Sequence, residues 1–209
     1  MQSKINYQLE TDRLLKALPT DRVPVLFLHA CCAPCSSYVL EYLSQYFAIT
    51  LFFYNPNIAP EEEYLHRKAE LKRLVQTMPL SHPVTILDGD YAPERFYALA
   101  KGLEQEPERG ARCQKCIGHR LEESFRAAAM QTPAPDFVCT TLTISPHKDA
   151  VWINTRGAEL AEQYGIPWLY TDFKKKGGYQ RSIALSREYD LYRQNFCGCV
   201  YSRLEAERR

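Results

Sequence analysis

The chain has 209 residues, 45% of them hydrophobic, which is enough to bury a core without cross-links and excludes a short secreted disulfide scaffold. Its 26 Lys and Arg against 25 Asp and Glu leave a net charge of +1, so bulk charge selects no partner, and a nucleic-acid footprint would have to be local. No stretch approaches the roughly 18 apolar residues of a membrane span, and the opening MQSKINYQLETDRLLKALPTDR has no apolar signal core, so a cytoplasmic protein with reduced thiols and no membrane partner is expected.

In chain order, residues 1–22 read as an N-terminal helical extension, and 23–28 (VPVLFL) as a buried strand. Cys31, Cys32 and Cys35 follow directly in HACCAPCSS, after which Ser36 or Ser37 is expected to cap a helix through Tyr46. Residues 49–54 form a second strand, and Pro60 with Glu61, Glu62 and Glu63 opens a helix to about Gln76. A weaker strand covers 84–87, and Pro93 starts a helix to about Leu103. After the polar stretch 104–112, Cys113 and Cys116 in RCQKC stand at the start of an amphipathic helix over roughly 116–130. Residues 137–143 are strand-like and contain Cys139, 149–164 are helical, 166–170 make the last strand, and a helix over 180–193 leads to Cys197 and Cys199 in FCGC.

Strand then helix, about five times over, predicts a Rossmann-like (nucleotide-hydrolase-like) α/β fold. It is a mostly parallel sheet with helices on both faces, in one domain over 1–209, and 174–209 complete the site. In such sheets the working site lies beyond the carboxyl ends of the strands, which is where Cys31, Cys32 and Cys35 fall. A helix amino terminus there also favours anionic sulfur.

Seven of the eight cysteines sit in three tight clusters. Three chemistries compete for them. Cys32 and Cys35 with Cys113 and Cys116 have zinc-knuckle spacing, yet zinc leaves Cys31, Cys197 and Cys199 unexplained, and a domain of this length needs no metal to hold its core. An iron–sulfur cluster also wants four thiolates. Cys197 and Cys199 could cycle as a dithiol through a small, oxidising ring. Cys139, inside an apolar run, reads as an inert core thiol.

HACCAPCS, FYNPNIAPEEEYLHR, ERGARCQKC, TTLTISPHKD and GGYQRSIALSREYDLYRQNFCGCVYS together resemble the QueH-type epoxyqueuosine reductases, with the likeness running from Leu28 to Ser202. The resemblance implies an enzyme that reduces epoxyqueuosine to queuosine at the wobble position of tRNA, without cobalamin. It implies a 4Fe-4S cluster on Cys31, Cys32, Cys113 and Cys116, a redox-active pair Cys197 and Cys199, and an additional mononuclear iron near Cys35. It also implies tRNA and an electron donor as partners.

Weaker expectations attach to polar residues at the same edge. Asn55 and Asn57 follow the second strand and face the site, against a plain turn around Pro56. Ser145, Pro146 and His147 end the fourth strand at that edge. His29 reads as a satisfied core histidine. Lys174, Lys175 and Lys176, then Tyr179 and Arg181, form the clearest basic segment, read as phosphate contact with an aromatic for stacking. Glu61 to Glu63 read only as a favourable first helical turn. A zinc-binding module and an ATP-dependent tRNA-modifying enzyme are the alternatives. The latter lacks a phosphate loop, because CCAPCSS stands where an SGGxDS segment would be.

Overall fold

The computed structural model describes residues 5–208, so the outermost residues of the expected N- and C-terminal segments lie outside it. Four strands form one all-parallel sheet: β1 (Val25–His29), β2 (Ala48–Phe53), β3 (Val84–Asp88) and β4 (Phe137–Thr140), in the order β3-β2-β1-β4. Along β1, Leu26 and Leu28 point to one core, whereas Phe27 points to the other. That period of two, with both faces apolar, is what a parallel strand covered on both sides requires.

One face carries α1 (Tyr7–Lys16), α2 (Ala33–Leu43), α3 (Glu61–Thr77) and α7 (Gly178–Glu188) through Leu15, Leu40, Leu74 and Leu185. The other carries α5 (Ala111–Ala129) and α6 (Ala150–Tyr164) through Leu121, Phe125 and Leu160. A third, small apolar cluster at the rim joins Phe96 of α4 (Pro93–Ala100), Cys116, Cys199 and Tyr201 of α8 (Val200–Glu207). Chain order runs from β1 outward to β3 and then returns to place β4 on the far side of β1. The order of strand addition therefore reverses between β1 and β4, the place where a crevice forms beyond the carboxyl ends of parallel strands.

Three expectations need correction. Residues 166–170 do not make a fifth strand: only Trp168 bridges Val138, and Pro167 in the middle has no N–H to give a ladder. The N-cap position of α2 is held by Cys32, without a side-chain cap, rather than by a serine, because Pro34 suits the first turn; Ser36 and Ser37 lie inside the helix, and their hydroxyls donate to Cys32 O and Pro34 O. The helix expected over 180–193 ends at Glu188, where Asp190 turns left-handed (φ 47°) and Arg73 holds its carbonyl at 2.9 Å.

Candidate metal and redox centre

Cys31 and Cys32 are the last two of the three residues between the end of β1 and the start of α2. Their sulfurs lie 3.8 Å apart, and with Cys35, one turn into α2, all three Sγ atoms fall within 4.8 Å of one another. This triad can hold a metal ion. Thr141, just past β4, donates to Cys31 Sγ at 3.5 Å and accepts from the Cys31 N–H at 3.3 Å, so the crevice wall fixes the first thiol.

Cys113 and Cys116 lie in the first two turns of α5, on the face that also carries Ile117 and Arg120. Cys197 and Cys199 arrive from the opposite end of the chain, and their loop is held through its backbone. Arg67 Nη1 donates to Cys197 O at 3.1 Å and Ala59 N donates to Gly198 O at 3.0 Å. Gly198 has φ 125° and a Cβ there would stand 2.9 Å from Ile58, so only glycine lets the loop run so close. Cys199 caps α8, its sulfur accepting from Ser202 N at 3.4 Å.

The three segments meet. One chamber of about 290 Å³ is lined by Cys31, Cys32, Cys35 and Cys197. A second, of about 20 Å³, is lined by Cys113, Cys116, Cys197 and Cys199. Cys197, Arg120 and Lys148 belong to both walls, and all seven clustered thiols therefore surround one region.

The charges around it are unusual for a protein interior. Arg120 is buried, donates from Nη2 to Asn55 Oδ1 at 2.9 Å, and leaves Nε without a hydrogen-bond partner. Arg67 and Arg112 are buried as well; Arg67 pairs with Glu63 at 2.6 Å and Arg112 with Glu205 at 3.3 Å. Lys148, with its side chain 7% exposed, pairs with Glu108 at 3.2 Å. Burial opposes its charge, but the neighbouring Cys197 and Glu108 hold the ammonium well above the ordinary lysine range. Hydrogen bonds from Cys32 and Cys35, helped by Arg120, hold Cys31 well below the usual thiol range. The shared hydrogen bond to Cys31 pushes Cys32 up to about 12, and burial does the same to Cys116. Thiols this costly to ionise singly are suited to ionising onto a soft metal, which supplies the missing positive charge. The unpartnered Arg120 Nε and Asn57 Oδ1 beside the sulfurs point the same way, since buried polar atoms rarely stay unpaired. Soft donors ringed by buried arginines fit a thiolate-bound cluster of net negative charge.

A family model for epoxyqueuosine reductase QueH matches residues 26–205. The chain belongs to this family. The QueH of Streptococcus pyogenes is 40% identical over 202 residues, covering 95% of this chain and 78% of that protein. The QueH of Staphylococcus epidermidis is 38% identical over 207 residues (97% and 86%), and that of Haemophilus influenzae 42% over 180 residues (85% and 71%).

Other residues singled out in the QueH-like blocks fall into different surroundings. Asn55 is buried, with its amide engaged by Ala30 O and Arg120, while buried Asn57 lines the smaller chamber. Tyr179 and His147 line the larger one. Lys174 is tied to Thr143 O and Asp172, Lys176 to Asp12 at 2.6 Å, and Arg181 to Glu41. His29 is fully buried between Thr140 and Tyr54 O, and Cys139, on β4, turns its thiol into the core on one face of the sheet. Glu63 does more than start a helix, because it holds the arginine that holds Cys197. Sequence reading missed Arg120, Lys148 and Arg67. Only the i+4 spacing of Arg120 from Cys116 on a helix that must pack against β1 could have flagged it.

Proposed function

We propose that this protein reduces the epoxide of epoxyqueuosine to the alkene of queuosine, at the wobble position of tRNA, and that its sulfur chambers are where this happens. The observation that carries the reading is the convergence of seven thiols from three distant segments on a region sharing Cys197, Arg120 and Lys148. Cys31, Cys32, Cys113 and Cys116 would hold a 4Fe-4S cluster, and Cys35 an additional iron. When bound, such iron supplies one-electron transfer and a Lewis acid for an oxygen.

Removing the epoxide oxygen consumes two electrons and two protons. The thiols of Cys197 and Cys199 can supply both: two S–H bonds are lost, a disulfide forms, two C–O bonds break, and the oxygen leaves as water. An external electron donor then restores the dithiol. Lys148 Nζ, a buried cation on the wall of both chambers, is placed to stabilise the departing oxygen. Arg120 balances thiolate charge, and Arg67 fixes the loop that presents Cys197. Lys174 and Lys175, which line a groove beside the chambers, and Tyr179, which lines the larger chamber, would meet the tRNA.

Because Cys113, Cys116, Cys197 and Cys199 line one small cavity, a tetrathiolate zinc site there is the competing arrangement. Anaerobic incubation of iron-reconstituted protein with epoxyqueuosine-containing tRNA and a reductant, followed by nucleoside mass analysis, tests the assignment. Queuosine and stoichiometric iron are expected. Unchanged substrate from fully loaded protein, or zinc as the bound metal of active protein, would overturn it.

A further inference from the structure

A groove of about 580 Å³ lies beside the sulfur chambers and runs along the start of α6, the segment before it and the lysine turn at 174–175. Arg109, His147, Lys148, Lys174, Lys175 and Trp152 are among its walls. Its two carboxylates are already occupied: Asp149 caps α6 by accepting from Val151 N and Trp152 N, and Asp172 pairs with Lys174 at 2.8 Å. Of the cations, Lys174 and Lys148 are paired with Asp172 and Glu108, which leaves Arg109 and Lys175 to carry the groove's excess charge. Arg109 adopts φ 77°, uncommon for a non-glycine residue, and its guanidinium donates to the carbonyls of His147 and Pro146. Those acceptors carry no net charge, so Arg109 is held in place without an ion-pair partner among the described residues. Lys175 forms no ion pair among the described residues.

We propose that this groove docks the anticodon strand of the tRNA, which deepens the reductase reading and rests on it. Charge complementarity is the first argument, since phosphate contact from fixed cations is the main source of affinity for RNA. Continuity is the second: Cys113, Ile117 and Lys148 line both the groove and the smaller sulfur chamber, and His147 and Lys148 line both the groove and the larger one. A strand lying in the groove can turn one nucleoside past Lys148 into the 290 Å³ chamber while its neighbours stay outside, as enzymes acting on a base require. Trp152, half-buried at the start of α6, gives the groove an aromatic wall, and stacking on such a ring holds unpaired bases without reading their identity. Lys176 and Arg181, although part of the same basic segment, face Asp12 and Glu41 and stand outside this surface.

The test uses iron-loaded protein and a fluorescent anticodon stem–loop RNA carrying epoxyqueuosine. Lys175→Glu is expected to weaken binding about tenfold at ~0.1 M salt and to lower the slope of log K against log salt by about 0.7, the loss of one phosphate contact. Its KM should rise with kcat at saturating RNA unchanged. Lys72→Glu, on α3 across the sheet, should bind as wild type does. A photoreactive 4-thiouridine next to the wobble nucleotide should cross-link to peptides containing Arg109 or Trp152, a readout independent of any variant. Wild-type affinity and salt slope in Lys175→Glu, or cross-links confined to other surfaces, would overturn the groove even if queuosine is still formed. Binding and cross-linking as expected without queuosine would instead defeat the reductase reading and leave the groove standing.

Discussion

Arg120 Nη2 donates to Asn55 Oδ1 at 2.9 Å, and Asn55 Nδ2 donates at 2.9 Å to the carbonyl of Ala30, the residue before Cys31. The amide that follows β2 thus locks a buried cation against the turn that presents the first two thiols. Replacing Arg120 by Met should lower the reduction potential of the reconstituted centre by on the order of 100 mV, because one nearby positive charge no longer favours the reduced, more negative state. Asn55→Ala should produce a smaller shift of the same sign. Spectroelectrochemical titration reads both, and an unmoved potential in Arg120→Met would remove Arg120 from the site's electrostatics.

For the thiol pair, differential alkylation with mass analysis after a single turnover without donor should find two thiols lost, one at Cys197 and one at Cys199, for each queuosine formed. Cys199→Ser should drop multiple-turnover activity to background while keeping its iron. Full turnover by that variant would rule out both a redox and a ligand role for Cys199.

Asp136 ties the start of β4 to the start of β1: it accepts from Arg22 and, at 2.8 Å, from the Val25 N–H. The Arg22 guanidinium, together with that N–H, holds its carboxyl below the ordinary range although burial works against it. A depressed folded-state pKa means that the stabilisation is complete above about 4 and disappears as pH falls through the lower folded value. Asp136→Asn should therefore lower stability modestly at pH 7, because the arginine partner is exposed, and the gap should narrow below pH ~4. Urea unfolding of both proteins at pH 7 and pH 3 checks this. An equal gap at both values would show that the charge contributes nothing.

Cys139 is fully buried on β4, and burial pushes its thiol up to about 12. Cys139→Ala should cost roughly 1 kcal/mol for the lost sulfur and the small cavity, with iron content and activity intact. A loss of iron in a folded variant would mean that the eighth cysteine belongs to the centre.

Much of the architecture was legible because it is local. The β-rich runs before the first cysteines and at 49–54 fall within two residues of β1 and β2, and the Pro60 and glutamate signal starts α3 where expected. The cysteine clusters announced the site because thiols are rarely so crowded by chance. What stayed hidden depends on contacts between distant segments. Arg120 and Lys148 read as ordinary charges on amphipathic stretches until α5 folds against β1 and the segment before α6 closes over it. The isolated bridge at Trp168 looked like a strand because hydropathy registers Ile166 and Leu169 but not the hydrogen-bond donor that Pro167 lacks. The lysine segment looked uniform, yet its members divide according to acidic partners on α1 and α2 that lie more than 130 residues away in the chain.

Of the seven clustered cysteines, Cys197 alone stands in the partition between the two sulfur chambers. A small electrophile that capped its sulfur would alter the walls of both chambers and remove a thiol in the same event. Sensitivity to alkylating toxins should thus concentrate at position 197, and preloading with the RNA substrate should shield it.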